Sequence, residues 1–210
     1  MPDPDGRASV TGSSGAASVR EVETVLDDWL AVRRYTLDVP GADGGTRRLH
    51  RLSVGRGDRA AVLLGDPDRG TVLLTRQLRL PVLVHGGAAT PGDGRLIELP
   101  GGLTDGADPA EAARREAEEE TGYRAGELTR LATVYPAPQL STERLHLFTG
   151  EYRADDRTGP GGGVAAEGED IEVLELPLAE AVDRLLREPA ADAKTLLLVL
   201  LAHHRHTRPA

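Results

Sequence analysis

The stretch GGLTDGADPAEAARREAEEETGY, residues 101–123, decides how this chain is read. Asp108 is placed to cap a helix, Pro109 suits the first helical position, and Glu111, three residues past the cap, completes a capping box. Thr121-Gly122 supplies the stop, because glycine takes the left-handed C-terminal conformation without a steric penalty. Inside the helix Glu116, Glu119 and Glu120 stand at i, i+3 and i+4, which puts three carboxylates on one face with neighbouring Cβ atoms about 5 to 6 Å apart. Glu118 adds a fourth acid. Like charges at this spacing cost a few tenths of a kcal/mol per solvated pair, so something should compensate. Arg115 lies four residues before Glu119 and Arg114 four before Glu118, whereas Glu116 and Glu120 have no basic residue at helical spacing. Two readings stand: a solvated acidic face, or a site where carboxylate oxygens bind a hard divalent cation, Mg²⁺ or Mn²⁺.

Outward from the helix, the chain alternates short apolar runs with turn chemistry. RLIELPGGL reads as a strand breaking into a Pro-Gly-Gly loop that feeds the helix. Upstream, WLAVRRYTLDV and TRRLHRLSV alternate apolar with polar residues around PGADGG, which predicts a hairpin. AAVLL and TVLLTRQ follow across GDPDRG, another turn. Downstream, ELTRLATVYPA, RLHLFTGEYR and IEVLELP read as strands, and LAEAVDRLLREP and DAKTLLLVLLAHHRH as helices. Interspersed strands and helices give an α+β class of mixed sheets with helices packed on them. The expected organisation is a tail over 1–20, a small antiparallel β annex over 21–58 and the main domain over 59–208.

With 210 residues, a formal charge of −9 and no cysteine, the chain suits one sizeable core without disulfides or thiolate metal sites. The charge argues against nucleic acid or an anionic membrane as partner. A basic-then-apolar leader and an apolar run of about 18 residues are both lacking, so the expected setting is cytoplasmic. Lys194 is the only lysine in a chain whose other basic residues are arginines. A GC-rich coding bias explains that imbalance and makes the surviving lysine a residue to watch. His203, His204 and His206 suggest a metal site at first sight; adjacent His203 and His204 point to different faces, so they read as cations near a helix C-terminus.

The stretch 101–123 resembles the signature of the Nudix hydrolases, G-x5-E-x7-R-E-U-x-E-E-x-G-U, with U a bulky apolar residue. Its second half matches as Arg115, Glu116, Ala117, Glu119, Glu120, Gly122 and Tyr123, Ala117 being a small occupant of a U position. The first half departs. Counted from Gly102 the arm to Arg115 is one residue short, and counted from Gly101 the isolated glutamate position falls on Ala107, with Asp108 the nearest acid. A shortened arm is similar to that of the GDP-mannose pyrophosphatase branch, related to the ADP-ribose pyrophosphatases. TRQLRLPVLVHGG, GGGVAAEGEDIEVLELP and DAKTLLLVL also resemble segments of that branch.

The resemblance implies a Nudix fold, mixed β-sheets sandwiched between helices, and a homodimer in which the annex packs across the partner. It implies that Glu116, Glu120 and Glu169, with the Gly101 carbonyl, bind the metal, with Glu119 close by. Glu169, with Glu167 as rival, is implied as a ligand or as the base that activates water, and Glu119 and Glu120 as catalytic. Arg79, Gly102, Leu103, Glu143 and Lys194 are implied as substrate contacts, and Trp29 as an aromatic residue that reaches the base from the partner subunit. The glycine run 161–163 would let the loop carrying Glu169 close over the substrate. The expected reaction is Mg²⁺-dependent hydrolysis of a nucleoside-diphosphate sugar: GDP-mannose to GMP and mannose 1-phosphate, or ADP-ribose to AMP and ribose 5-phosphate. A non-catalytic nucleotide-sugar sensor is the reading from another class.

Overall fold

A computed structural model describes residues 16–85 and 92–207, and the chain divides into two units. The first comprises the chain up to Gly57 together with Ala137–Glu143. Its three strands, β1 (Ser18–Asp27), β2 (Ala31–Pro40) and β3 (Thr46–Gly55), form an antiparallel sheet in that order. The predicted hairpin is β2–β3. It closes where Gly41 N–H donates to the Gly45 carbonyl at 2.7 Å and Gly44 sits at φ +80°. Strand β1 is not anticipated by the sequence; Ser18–Arg20 of the expected tail are already strand, while residues 1–15 lie outside the described residues. On its other edge β3 meets the segment 137–143. Val54 N–H donates to the Leu140 carbonyl at 3.0 Å, and Val54 bridges Ser141.

The second unit, Asp58–Pro136 with Arg144 onward, holds the rest. Its elements are β4 (Arg59–Asp66), β5 (Thr71–Leu78), α1 (Leu80–His85), β6 (Arg95–Glu98), β7 (Gly101–Leu103), α2 (Pro109–Thr121), β8 (Leu128–Val134), β9 (Leu145–Glu151), β10 (Glu172–Pro177), α3 (Leu178–Arg187) and α4 (Ala193–Thr207). The sheet runs β10-β5-β4-β9-β8, with β6 added on β5 and β7 on β4. The β4–β9 pair is parallel and the other pairs are antiparallel.

Strand β4 explains the layering. Successive side chains on a strand point to opposite faces, and its run AAVLL is apolar on both. Ala60, Val62 and Leu64 join a core with Ala112, Ala113 and Ala117 of α2. Ala61 and Leu63 join one with Ala181, Val182 and Leu185 of α3 and Leu198 and Val199 of α4. The sheet is therefore sandwiched between α2 and the α3/α4 pair, and each fully buried leucine contributes on the order of 1.5–3 kcal/mol. The observed class is the expected α+β arrangement with an antiparallel sheet ahead of it. Among the described residues no helix is long and apolar enough to cross a membrane.

Candidate active site

The Pro-Gly-Gly loop sits where β7 crosses β4. Ala60 pairs with Gly102 and Ala61 with Gly101, and Val62 N–H donates to the Pro100 carbonyl at 3.1 Å. Gly101 is required by space against the backbone, and Gly102 leaves room for a side chain. A Cβ on Gly101 would stand 2.4 Å from the Ala60 carbonyl oxygen, and one on Gly102 would stand 2.3 Å from a Glu116 carboxylate oxygen. The shortened arm is taken up between Thr104 and Ala107, whose N–H donates to the Thr104 carbonyl at 2.8 Å. Asp105 and Gly106 there lie at φ +48° and +80°, the positive values that a type I′ turn demands of its central pair.

Helix α2 then begins as expected, with the Asp108 carboxylate accepting from Ala110 N–H at 2.9 Å and Glu111 N–H at 3.3 Å. The reciprocal half of the capping box is replaced by an ion pair, Glu111 accepting from Arg114 at 2.6 Å. Arg115 spans three partners: Glu119 at 3.2 Å, Glu116 at 2.9 Å and the Leu103 carbonyl at 3.3 Å. It thereby ties the loop to the helix face and offsets part of the crowding.

Glu120 is only 2% exposed. Burial first, then Glu116, with Glu169 and Glu98 adding, push its carboxyl up to about 8, against the pull of the Gly101 N–H that it accepts at 3.2 Å. Glu116 is raised as well, by burial foremost. At neutral pH the Glu120 carboxyl therefore holds a proton that a cation would displace.

Glu169 is brought to this cluster from the other side. Its carboxylate accepts from Val164 N–H at 2.8 Å and fills the space beside Gly163. The glycine run is docked on the helix. Gly162 N–H donates to the Glu120 carbonyl at 2.8 Å and Gly163 N–H to the Glu119 carbonyl at 3.1 Å, so the run stitches the loop to the open carbonyl end of α2. Gly161, at φ +70°, lies so close that a Cβ would come within 2.5 Å of the Thr121 backbone. The main chain of Glu167 lies in a short 3₁₀ turn, Ala165–Glu167; its side chain is outside the described residues.

The sequence model of the family described as the NUDIX domain matches residues 55–199. The chain belongs to the Nudix family. It is 41% identical over 186 residues to a GDP-mannose pyrophosphatase of Pectobacterium atrosepticum, covering 89% of this chain and 93% of that one. GDP-mannose pyrophosphatases of Salmonella arizonae and Citrobacter koseri are 39% and 40% identical, over 86% of this chain and 91% and 92% of theirs.

Nudix hydrolases in general need a divalent metal ion, and the donors here suit one. They are hard oxygens, burial raises the carboxyl groups of both Glu116 and Glu120, each also raised by neighbouring carboxylates, and Gly102 leaves room for the Glu116 carboxylate. As the side chains stand, with Glu169 turned to Val164, no three acidic or imidazole groups among the described residues converge tightly enough to hold an ion. His203, His204 and His206 form no such group either.

The Nudix helix and its loops thus gather Gly101, Gly102, Leu103, Glu116, Glu119, Glu120 and Glu169. Arg79, between β5 and α1, and Lys194, in the first turn of α4, are linked through Glu98: Arg79 Nε lies 2.9 Å from its carboxylate and Lys194 Nζ 3.7 Å. Burial works against the Arg79 charge, and Glu98 outweighs it to hold the guanidinium above its usual value. Lys194 is not a solvated helix start, being 18% exposed and 2.9 Å from Asp192. Trp29 and Glu143 belong to the first unit. Trp29 is 69% exposed, which removes it from any apolar core, and the Arg56 guanidinium lies 4.4 Å over its ring. Glu143 N–H donates to Ser141 Oγ at 3.0 Å. Sequence reasoning missed Glu98 and Asp192. The one available signal was an acid at the end of the apolar strand RLIE, immediately before the Pro-Gly-Gly break.

Proposed function

We propose that this protein is a Mg²⁺-dependent GDP-mannose pyrophosphatase that hydrolyses its substrate to GMP and mannose 1-phosphate. The observation that carries the reading is the match to proteins of that name at about 40% identity over more than nine-tenths of their length. A diphosphate bridge resists hydrolysis because charge on both phosphorus centres repels a nucleophile. A divalent ion held by Glu116, Glu120, Glu169 and the Gly101 carbonyl would screen that charge and acidify a water. Glu169 orients the attacking water and takes its proton, with Glu119 supporting the charge of the cluster. Arg79 and Lys194 hold phosphate oxygens, Gly102 and Leu103 line the approach, and Glu143 contacts the substrate. In the homodimer Trp29, which is exposed, serves the base of the nucleotide bound by the other subunit.

A homodimer formed through the first unit belongs to the same reading. Its support is the exposed apolar surface of that sheet, where Val25, Leu26 and Leu52 are each about half exposed. Light scattering on the purified protein tests it, a monomer mass overturning the dimer.

The activity is tested by offering GDP-mannose and ADP-ribose in parallel, with and without Mg²⁺, to the native protein and a Glu120→Gln variant. GMP release that needs both Mg²⁺ and Glu120, with GDP-mannose favoured in kcat/KM, is the expected result. Preference for ADP-ribose would reassign the substrate. Binding without Mg²⁺-dependent turnover of either would make the protein a sensor.

A further inference from the structure

Arg79 and Lys194 lie 115 positions apart by their residue numbers, yet one carboxylate outside the family signature engages both. Glu98 ends β6 and is 5% exposed. Arg79 grips it as a fork, Nε donating to one oxygen at 2.9 Å and Nη2 donating to the other. The second oxygen also faces Lys194 Nζ at 3.7 Å. Behind Lys194 stands Asp192, 2.9 Å from Nζ, which accepts from the Thr195 N–H at 3.0 Å and from its hydroxyl at 2.5 Å. The fully buried Thr195 hydroxyl in turn accepts from Leu99 N–H at 2.8 Å. Two cations and two carboxylates form a quartet of zero net charge, and it is anchored to the residue two before Gly101.

A buried carboxylate is a poor device for stability, since its desolvation cancels much of what its partners return. What a forked pair does well is fix the plane of a guanidinium. We propose that Glu98 is a positioning residue for the substrate diphosphate: its buried carboxylate fixes the guanidinium of Arg79 and tethers the ammonium of Lys194, so that both cations are aimed before the anion arrives. The inference rests on the reading that Arg79 and Lys194 contact the diphosphate. It assigns to Glu98 the cost of ordering two long side chains, which binding would otherwise bear.

The test is a double-mutant cycle on the full chain: native, Glu98→Gln, Arg79→Ala and the double variant. Two quantities are read, calorimetric affinity for inorganic pyrophosphate in Mg²⁺ and kcat/KM for GDP-mannose, with melting curves alongside. A glutamine can accept only one of the two Arg79 bonds and turns its amide protons on the other. The expected result is a loss of about tenfold in both quantities for Glu98→Gln, shrinking to about threefold or less in the Arg79→Ala background, where only the tether on Lys194 is left to lose. Equal loss in both backgrounds would make Glu98 merely structural. Tighter pyrophosphate binding by Glu98→Gln would make it a competitor of the anion, and no pyrophosphate binding by the native protein would remove the anion site. Each of these overturns the proposal. Should Glu98→Gln not fold, Glu98→Asp keeps the charge but shortens the reach, and the same coupling to Arg79 is expected of it. Coupling on pyrophosphate without GDP-mannose turnover would sink the substrate assignment and leave the Glu98 role standing. Turnover with additive losses would do the reverse.

Discussion

At the scale of single residues, Glu120 sets the pH behaviour. Its carboxyl is raised from 4.5 to about 8 in the folded, metal-free protein. Between those values the folded state holds a proton that the unfolded state has released. The contribution to stability is therefore complete below about 4.5 and is lost as pH climbs through about 8, a change on the order of a few kcal/mol. Melting temperature measured in chelator should fall from pH 5 to pH 8, and Glu120→Gln should flatten that slope. The same proton must leave when a cation binds. Calorimetric titration with Mg²⁺ at pH 7, repeated in buffers of different ionisation enthalpy, should show proton release approaching one per site in the native protein and little in Glu120→Gln. Gly102→Ala probes the other carboxylate. Its Cβ would meet the Glu116 carboxylate, a flexible group that can swing aside. Mg²⁺ affinity should fall by about tenfold or more while metal-free stability changes by less than about 1 kcal/mol.

At the scale of elements, α2 depends on what holds its two ends. Asp108→Ala removes the acceptor for two N–H groups and should cost about 1 kcal/mol in denaturant titration. Gly161→Ala, at positive φ with backbone 2.5 Å away, should cost more than the cap. Because it loosens the loop carrying Glu169, it should also lower kcat. These two ends were not equally legible. Asp108, Pro109 and Gly122 announce their helix by local chemistry, and their roles can be read from spacing alone. The docking of Gly162 and Gly163 onto the helix carbonyls joins residues some forty positions apart, and no local pattern reports it. Strand β1 escaped for a different reason. In SVREVETVLD most side chains are exposed, so its few apolar residues declare no buried face. Glu98 was hidden because an acid ending a strand looks like a solvated terminus until Arg79 and Lys194 are brought to it by folding.

At the scale of the whole molecule, the first unit is assembled from two separate parts of the chain. A chain shortened to begin at Asp58 would strip 137–143 of its β3 partners, including the Val54 bridge and the Ser53 hydroxyl bond to the Leu140 carbonyl at 3.0 Å. Glu143 closes that segment. Such a chain should retain Mg²⁺ binding by Glu116 and Glu120 while KM for the nucleotide sugar rises severalfold or more, measurable by calorimetry and steady-state kinetics side by side. The same stitching has a temporal side. Ser53 and Leu140 are 87 residues apart, and at ribosomal speeds of 5–20 residues per second the outer edge of β3 waits roughly four to seventeen seconds for its partner segment. During that interval a nascent chain presents an unpaired strand edge beside half-exposed leucines and valines. The chain is then most open to capture by a chaperone, or by another copy of itself emerging from the same message.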